Sequence, residues 1–222
     1  MNSLKRKNKT IVAVFAHPDD EAFGPAGTLA KFAKSHDVYI LCATKGEIGG
    51  NHHRLAQIRS RELLKSAKIL GVKKVYFLGF IDGTLSNSLY HALAKKIESK
   101  LKILRPQTLL TFEHRGISGH IDHIVVSMVT TFVFNRLPFV TKLLLYCIID
   151  RQRVDINDYF IYFPPGYKKN EIDLVVNIKD YWQTKVKAMM THKSQIGDGR
   201  KILERLKSLP KEEYFQVIEK SD

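Results

Sequence analysis

Apolar positions along the chain fall into short β-branched runs separated by longer stretches of helical spacing. Residues 10–16, Thr-Ile-Val-Ala-Val-Phe-Ala, are almost continuously apolar, the pattern of a strand buried on both faces of a parallel sheet. The run ends in a His-Pro-Asp-Asp turn. Residues 24–35 carry Leu29, Phe32 and Ala33 at helical spacing, and residues 37–43 are again strand-like, which completes a βαβ unit. The pattern then repeats. A helix is predicted over 54–70, with apolar positions Leu55, Ile58, Leu63, Ala67 and Leu70 and Gly71 as its C-terminal stop, followed by a strand at 75–78. A helix over 87–104 ends before Pro106, and residues 108–112 form the next strand. Beyond a polar loop, 123–135 reads as helix, 142–149 and 173–178 as strands, and helices resume at 180–191 and beyond 200.

This alternation predicts an α/β fold: a three-layer α/β/α sandwich around a mostly parallel sheet with right-handed crossovers. The 222 residues fit one domain, 1–222, with residues 1–9 as a basic N-terminal extension. Residues 159–169, with Pro164, Pro165 and Gly166, suit a mobile loop at the rim of a site.

Composition narrows the class. Hydrophobic residues at 44% and charged ones at 26% exclude a disordered chain. The net charge of +14 favours anionic partners, although a solvated basic surface accounts for much of it. Cys42 and Cys147 each sit inside an apolar run, so a disulfide framework is not expected. Without a secretory signal pattern or an apolar run of about 20 residues, the chain reads as cytoplasmic and free of transmembrane segments. A homo-oligomer is compatible with everything in the sequence.

In open α/β sheets, ligands bind beyond the carboxyl ends of the strands. Two dense polar clusters are predicted there: Ala-His-Pro-Asp-Asp-Glu at 16–21, and Gly-His-Ile-Asp-His at 119–123. A catalytic zinc takes three protein ligands from His and Asp or Glu and keeps one position open for water. Pro18 bends the first cluster so that His17 and Asp20 can reach one ion. One histidine of the second cluster, His120 or His123, completes the set. Asp19, beside ligand Asp20, is then the candidate general base toward water. Without a metal, the same acidic turn would be explained by the dipole of the helix it opens.

These residues resemble the PIG-L or LmbE-like N-acetylglucosaminyl deacetylases over most of the chain. The motif at 16–21 stands intact. Thr44-Lys-Gly46-Glu47, Arg59-Ser-Arg-Glu62 leading to Leu70-Gly71, Asp82-Gly83, the 119–123 cluster, and Lys187 through His192-Lys-Ser194-Gln195 look like the remaining signatures. The resemblance implies a Rossmann-like fold and hydrolysis of the acetamide on a glucosamine unit. It implies zinc, with Fe2+ as the alternative ion in the cell, held at His17, Asp20 and His123. It also implies Asp19 as base, His120 as acid or oxyanion stabiliser, Asp122 as the carboxylate orienting a histidine, and Arg59, Asp82 and Glu47 as substrate contacts. Two positions depart from the pattern. Ile121 stands where the family commonly has proline, and Ser118 where some members carry a tyrosine near the oxyanion.

The substrate expected is thus a small amino-sugar compound, with an anionic conjugate suggested by the charge. Two alternatives stand beside it. One is an amidase of the same fold acting on a thiol-sugar conjugate or another acylated amine. The other is a basic anion- or nucleic-acid-binding protein with a non-catalytic metal site; no zinc finger or RNA-recognition aromatic signature supports it, so no nucleic-acid partner is expected.

Overall fold

The first strand already shows how the molecule is layered. In β1 (Thr10–Phe15), Ile11, Ala13 and Phe15 enter one apolar core while Val12 and Val14 enter another. A strand can feed two cores only when helices cover both faces of its sheet. The computed structural model describes residues 9–154 and 162–220, so the basic run Lys5, Arg6 and Lys7 and the start of the loop expected at 159–169 lie outside the described residues.

After β1 come α1 (Asp20–Phe23), α2 (Ala26–Phe32), β2 (Asp37–Cys42), α3 (Leu55–Leu70), β3 (Lys74–Phe77), α4 (Tyr90–Leu104) and β4 (Thr108–Phe112). The second half runs α5 (Gly116–Gly119), α6 (Ile121–Arg136), β5 (Lys142–Cys147), β6 (Leu174–Asn177), α7 (Trp182–Met189), α8 (Ile196–Lys207) and β7 (Glu212–Glu219). The seven strands form one sheet in the order β3-β2-β1-β4-β5-β7-β6. Strands β1 to β5 pair in parallel, and β7 runs antiparallel to both of its neighbours. Helices α1, α2, α3, α7 and α8 cover one face and α4 and α6 the other. This is the three-layer α/β/α architecture expected from the sequence. Among the described residues, no helix is long and apolar enough to cross a membrane.

The structure departs from the sequence-based expectation in two places. The helix expected over 24–35 is α2, Ala26–Phe32, and an additional short helix, α1, precedes it; Pro25, with no N–H to donate, separates the two. The residues after α8 form a strand. Tyr214, Phe215, Val217 and Ile218 stand at i, i+1, i+3 and i+4, a spacing that fits a helix face as well as a strand buried on both sides. In the sheet, Phe215 joins one core and Ile218 packs against the other.

The winding positions the site. From β1 the chain builds the sheet outward through β2 and β3 on one side, and later through β4 and β5 on the other. The loops after β1 and β4 therefore diverge and leave a crevice at the carboxyl ends of these strands.

Candidate active site

The loop that follows β1 is shaped by its own acid. Asp20 Oδ2 accepts from the backbone amides of Ala16 at 3.0 Å and His17 at 2.9 Å. The other oxygen, Oδ1, is turned toward His123 Nε2 at 3.2 Å. Burial opposes ionisation of Asp20, but His123, His17 and the amides outweigh it and hold the carboxyl well below the ordinary carboxylate range. The preceding residue, Asp19, adopts φ 116°, a conformation rarely taken by a non-glycine residue. That twist turns its side chain away from Asp20 to Arg59 of α3, whose Nη2 donates to Asp19 Oδ2 at 3.1 Å and to Pro18 O at 2.8 Å. Burial raises the Asp19 pKa, Arg59 partly offsets it, and the result is about 6.

The second cluster enters from the β4 side. Glu113, directly after β4 and buried, accepts from the amides of Arg115 and Ile117 and from the Tyr167 hydroxyl at 2.8 Å. The loop it holds contains Gly116, Ile117 and Gly119, three of four neighbouring residues, with φ of 71°, 65° and 75°. In that conformation Gly116 O accepts from His123 Nδ1 at 3.1 Å. Because a carbonyl can only accept, the proton of a neutral His123 lies on Nδ1 and its Nε2 presents a lone pair.

His17 is fixed in the complementary way. Its Nε2 faces only acceptors, Asp82 Oδ1 at 2.9 Å and Asp122 Oδ2 at 3.1 Å, so its proton lies there. Nδ1 is turned to His123 Nε2 at 3.1 Å. With both rings neutral, lone pairs of His17 Nδ1, His123 Nε2 and Asp20 Oδ1 converge with no hydrogen between them. Such a cluster requires a proton or a metal cation. Burial opposes the charge on His17, but hydrogen bonds to Asp122 and Asp82 and the charges of Asp20 and Asp82 dominate and push its pKa up to about 10. The three donor atoms lie within 4.8 Å of one another. The 3.1 and 3.2 Å separations approach the edge of about 3.3 Å of a tetrahedron around a zinc with bonds of about 2.0 Å. The donor set therefore fits a divalent ion. His17, Asp82 and His120 also lie within 4.8 Å of one another. An ion there would have to displace the proton that His17 Nε2 donates to two carboxylates, which makes it the weaker set.

His120 caps α6, its Nδ1 accepting from the Asp122 amide at 3.2 Å. Its ring stacks on His123 at 4.9 Å between centroids. Burial, then the neighbouring His123 and His17, lower its pKa to about 4, so at neutral pH it is an uncharged imidazole with its proton on Nε2.

The remaining residues singled out in the sequence play less direct parts in the geometry. Asp122 is buried and away from the cleft wall, and it also accepts from the amides of Gly83 and Leu85 at 2.8 and 3.2 Å. Asp82 lines the cleft, yet its oxygens are already engaged by His17 Nε2 and the Ile48 amide. Arg59 lies beneath the loop after β2, where a Cβ at Gly46 or Gly49 would overlap its guanidinium. Glu47 accepts from the Asp82 and Lys45 amides and ties that loop to the one after β3. Sequence reasoning gave no role to Glu113 or to the pairing of Glu21 with buried His192 at 2.8 Å. What the sequence offers for Glu113 is its place alone, a lone carboxylate directly after an apolar strand, which by itself forms no pattern.

His17, Asp19, Asp20, Arg59, Asp82, His120 and His123 line one cleft of about 580 Å³, polar where Arg59, Asp82 and Gly49 meet it and apolar beyond Phe112. The family model for PIG-L, described as GlcNAc-PI de-N-acetylase, matches residues 12–134, more than half the chain. A probable N-acetyl-alpha-D-glucosaminyl L-malate deacetylase 2 of Bacillus cereus is 28% identical over 197 residues, covering 83% of each protein. A diacetylchitobiose deacetylase of Thermococcus kodakarensis is 30% identical over 201 residues, covering 84% of this chain and 70% of that protein. In fold, the chain is similar to N,N'-diacetylchitobiose deacetylase from Pyrococcus horikoshii in complex with its inhibitor MPG. The TM-score is 0.74 at 22% identity, over 96% of this chain and 85% of that one.

Proposed function

The chain belongs to the PIG-L family of de-N-acetylases, and on that premise we propose that it hydrolyses the acetamide of an N-acetylglucosamine-containing substrate, using zinc held by His17, Asp20 and His123. The observation that carries this reading is the convergence of three lone pairs beside an aspartate whose pKa is about 6. When bound, the ion supplies Lewis acidity, easing deprotonation of a water and polarising the amide carbonyl.

The protein's own groups do the rest. Asp19, its Oδ2 oriented by Arg59, takes the proton of the attacking water on Oδ1. Its pKa near neutrality lets it hold that proton and then return it to the leaving amine. A neutral His120 is a poor proton source but a good donor, so Nε2–H stabilises the developing oxyanion, a role worth about 2.7 to 4 kcal/mol. Asp82 and Asp122 act through His17, fixing its tautomer and raising its basicity. Arg59 and Asp82 offer partners for sugar hydroxyls, and Glu47 serves by holding the loop that carries them. The buried free thiols Cys42 and Cys147 fit a cytoplasmic setting.

The test is amine release from N-acetylglucosamine and its conjugates, with and without chelator. Chelation should abolish turnover and added zinc restore it. Asp19→Asn should retain the metal and lose about 10²- to 10⁴-fold in kcat. Turnover that survives chelation, or wild-type rates in Asp19→Asn, would overturn the reading.

A further inference from the structure

We infer that the apolar half of the cleft is an acyl-chain subsite, so that the preferred substrates are amino sugars carrying linear N-acyl groups longer than acetyl. This rests on the amide hydrolysis proposed above and extends the acyl group it removes from acetyl to longer chains.

The sheet order places the two halves of the cleft on opposite sides of the candidate metal ligands. Strand β1, which delivers His17 and Asp20, lies between β2 and β4. On the β2 and β3 side the walls are Arg59, Asp82 and the backbone at Gly49 and Gly50. On the β4 and β5 side they are Phe112, Ile117, Tyr146 and Ile148, closed over by Ile202 and Leu206 of α8. The rings continue outward from the ligand, with Phe112 4.9 Å from His123 and Tyr146 6.0 Å from Phe112 between centroids. An amide positioned at the ligands has one substituent on each side of its C–N bond. Sugar hydroxyls need hydrogen-bond partners, and these line the β2 side. The acyl group then faces the apolar side.

Size argues the same way. Asp198, Ile202 and Leu206 stand at i, i+4 and i+8 on the face of α8 that lines the cleft, a polar-to-apolar run of roughly 12 Å. The methyl of an acetyl group extends only about 1.5 Å beyond its carbonyl carbon. It would leave most of that wall in contact with water, whereas each further methylene buried there gains affinity. The reaction balances for any acyl length: water adds to the carbonyl carbon, the C–N bond breaks, the amine gains a proton, and a carboxylate leaves.

The experiment compares N-acetyl-, N-butanoyl- and N-octanoylglucosamine for amine release. It also measures, by calorimetry on the zinc-loaded protein, the binding of octanoate against acetate. Expected are a kcat/KM at least about tenfold higher for octanoyl than for acetyl, and octanoate binding at least about tenfold tighter than acetate. In Ile202→Trp, which fills the apolar end, both ratios should collapse toward one. If N-acetylglucosamine is cleaved while both ratios stay at or below one, the subsite is refuted and the amidase reading stands. If octanoate binds tightly in an Ile202-dependent way while no amide is cleaved, the subsite stands and the amidase reading falls.

Discussion

The two loops that meet at the candidate metal ligands are built by different means. The loop after β1 supports itself: Asp20 grips the amides of Ala16 and His17 with one oxygen and offers the other as a ligand, so fold and chemistry reside in one side chain. The loop after β4 is supported from elsewhere. Its three positive-φ residues, Gly116, Ile117 and Gly119, are held by Glu113, and Glu113 in turn by Tyr167, 54 residues away. A β-branched residue at φ 65° is a conformation that surrounding contacts must enforce. Both loops hold a candidate ligand firmly, but only the second can be loosened without touching one.

The largest effect should come from the first loop. Asp20→Ala removes a proposed ligand and orphans two buried amides together, so metal should be lost and stability should fall by about 1–3 kcal/mol, read by elemental analysis and denaturant melts. Retained stoichiometric metal would break the account of that loop. Next comes Glu113→Gln, which leaves every ligand in place but weakens the grip on Gly116, the carbonyl that orients His123. Zinc affinity should drop about 10- to 100-fold in competition titrations, and unchanged affinity would erase the distinction between the loops. The acidic limb of kcat/KM sharpens the comparison, because it reports the first loop alone. As the proposed base Asp19 works deprotonated, so activity should fall as pH drops through about 6. Arg59 opposes the raised pKa, so Arg59→Met should move the limb to higher pH, while Glu113→Gln should leave it in place. The smallest effect belongs to Tyr167→Phe, which removes one hydrogen bond to Glu113 and should cost about 1 kcal/mol with a few-fold loss in zinc affinity.

The same contrast explains what could be read in advance. The first loop was legible because its chemistry and its scaffold are neighbours in sequence, directly after an unambiguous strand. His120, Asp122 and His123 were legible as a cluster for the same reason. The support at Glu113 was not, since its partner Tyr167 is distant and a single carboxylate after a strand carries no pattern. Asp82 was expected as a sugar contact; its added attachment to His17 depends on how two loops cross, which periodicity does not report. Strand β7 was hidden because adjacent apolar pairs satisfy a helix and a doubly buried strand equally. The apolar half of the cleft was hidden for a related reason. Phe112 and Tyr146 look like core residues in sequence, and nothing in their spacing distinguishes a core from a cavity wall.

Strand β7 carries Glu213, whose oxygens hold Lys185 Nζ at 2.7 Å and the amides of Gly27 and Thr28 at 2.9 and 2.7 Å, on the helix that follows the Asp19–Asp20 loop. It also separates β5 from β6. During synthesis the first five strands can pair in the order they leave the ribosome, but β6 emerges before the strand it pairs with in the finished sheet. The nascent protein thus carries a waiting edge and an uncompensated lysine until residue 219 is free, and that interval is when chaperones and proteases have their best chance to act on it.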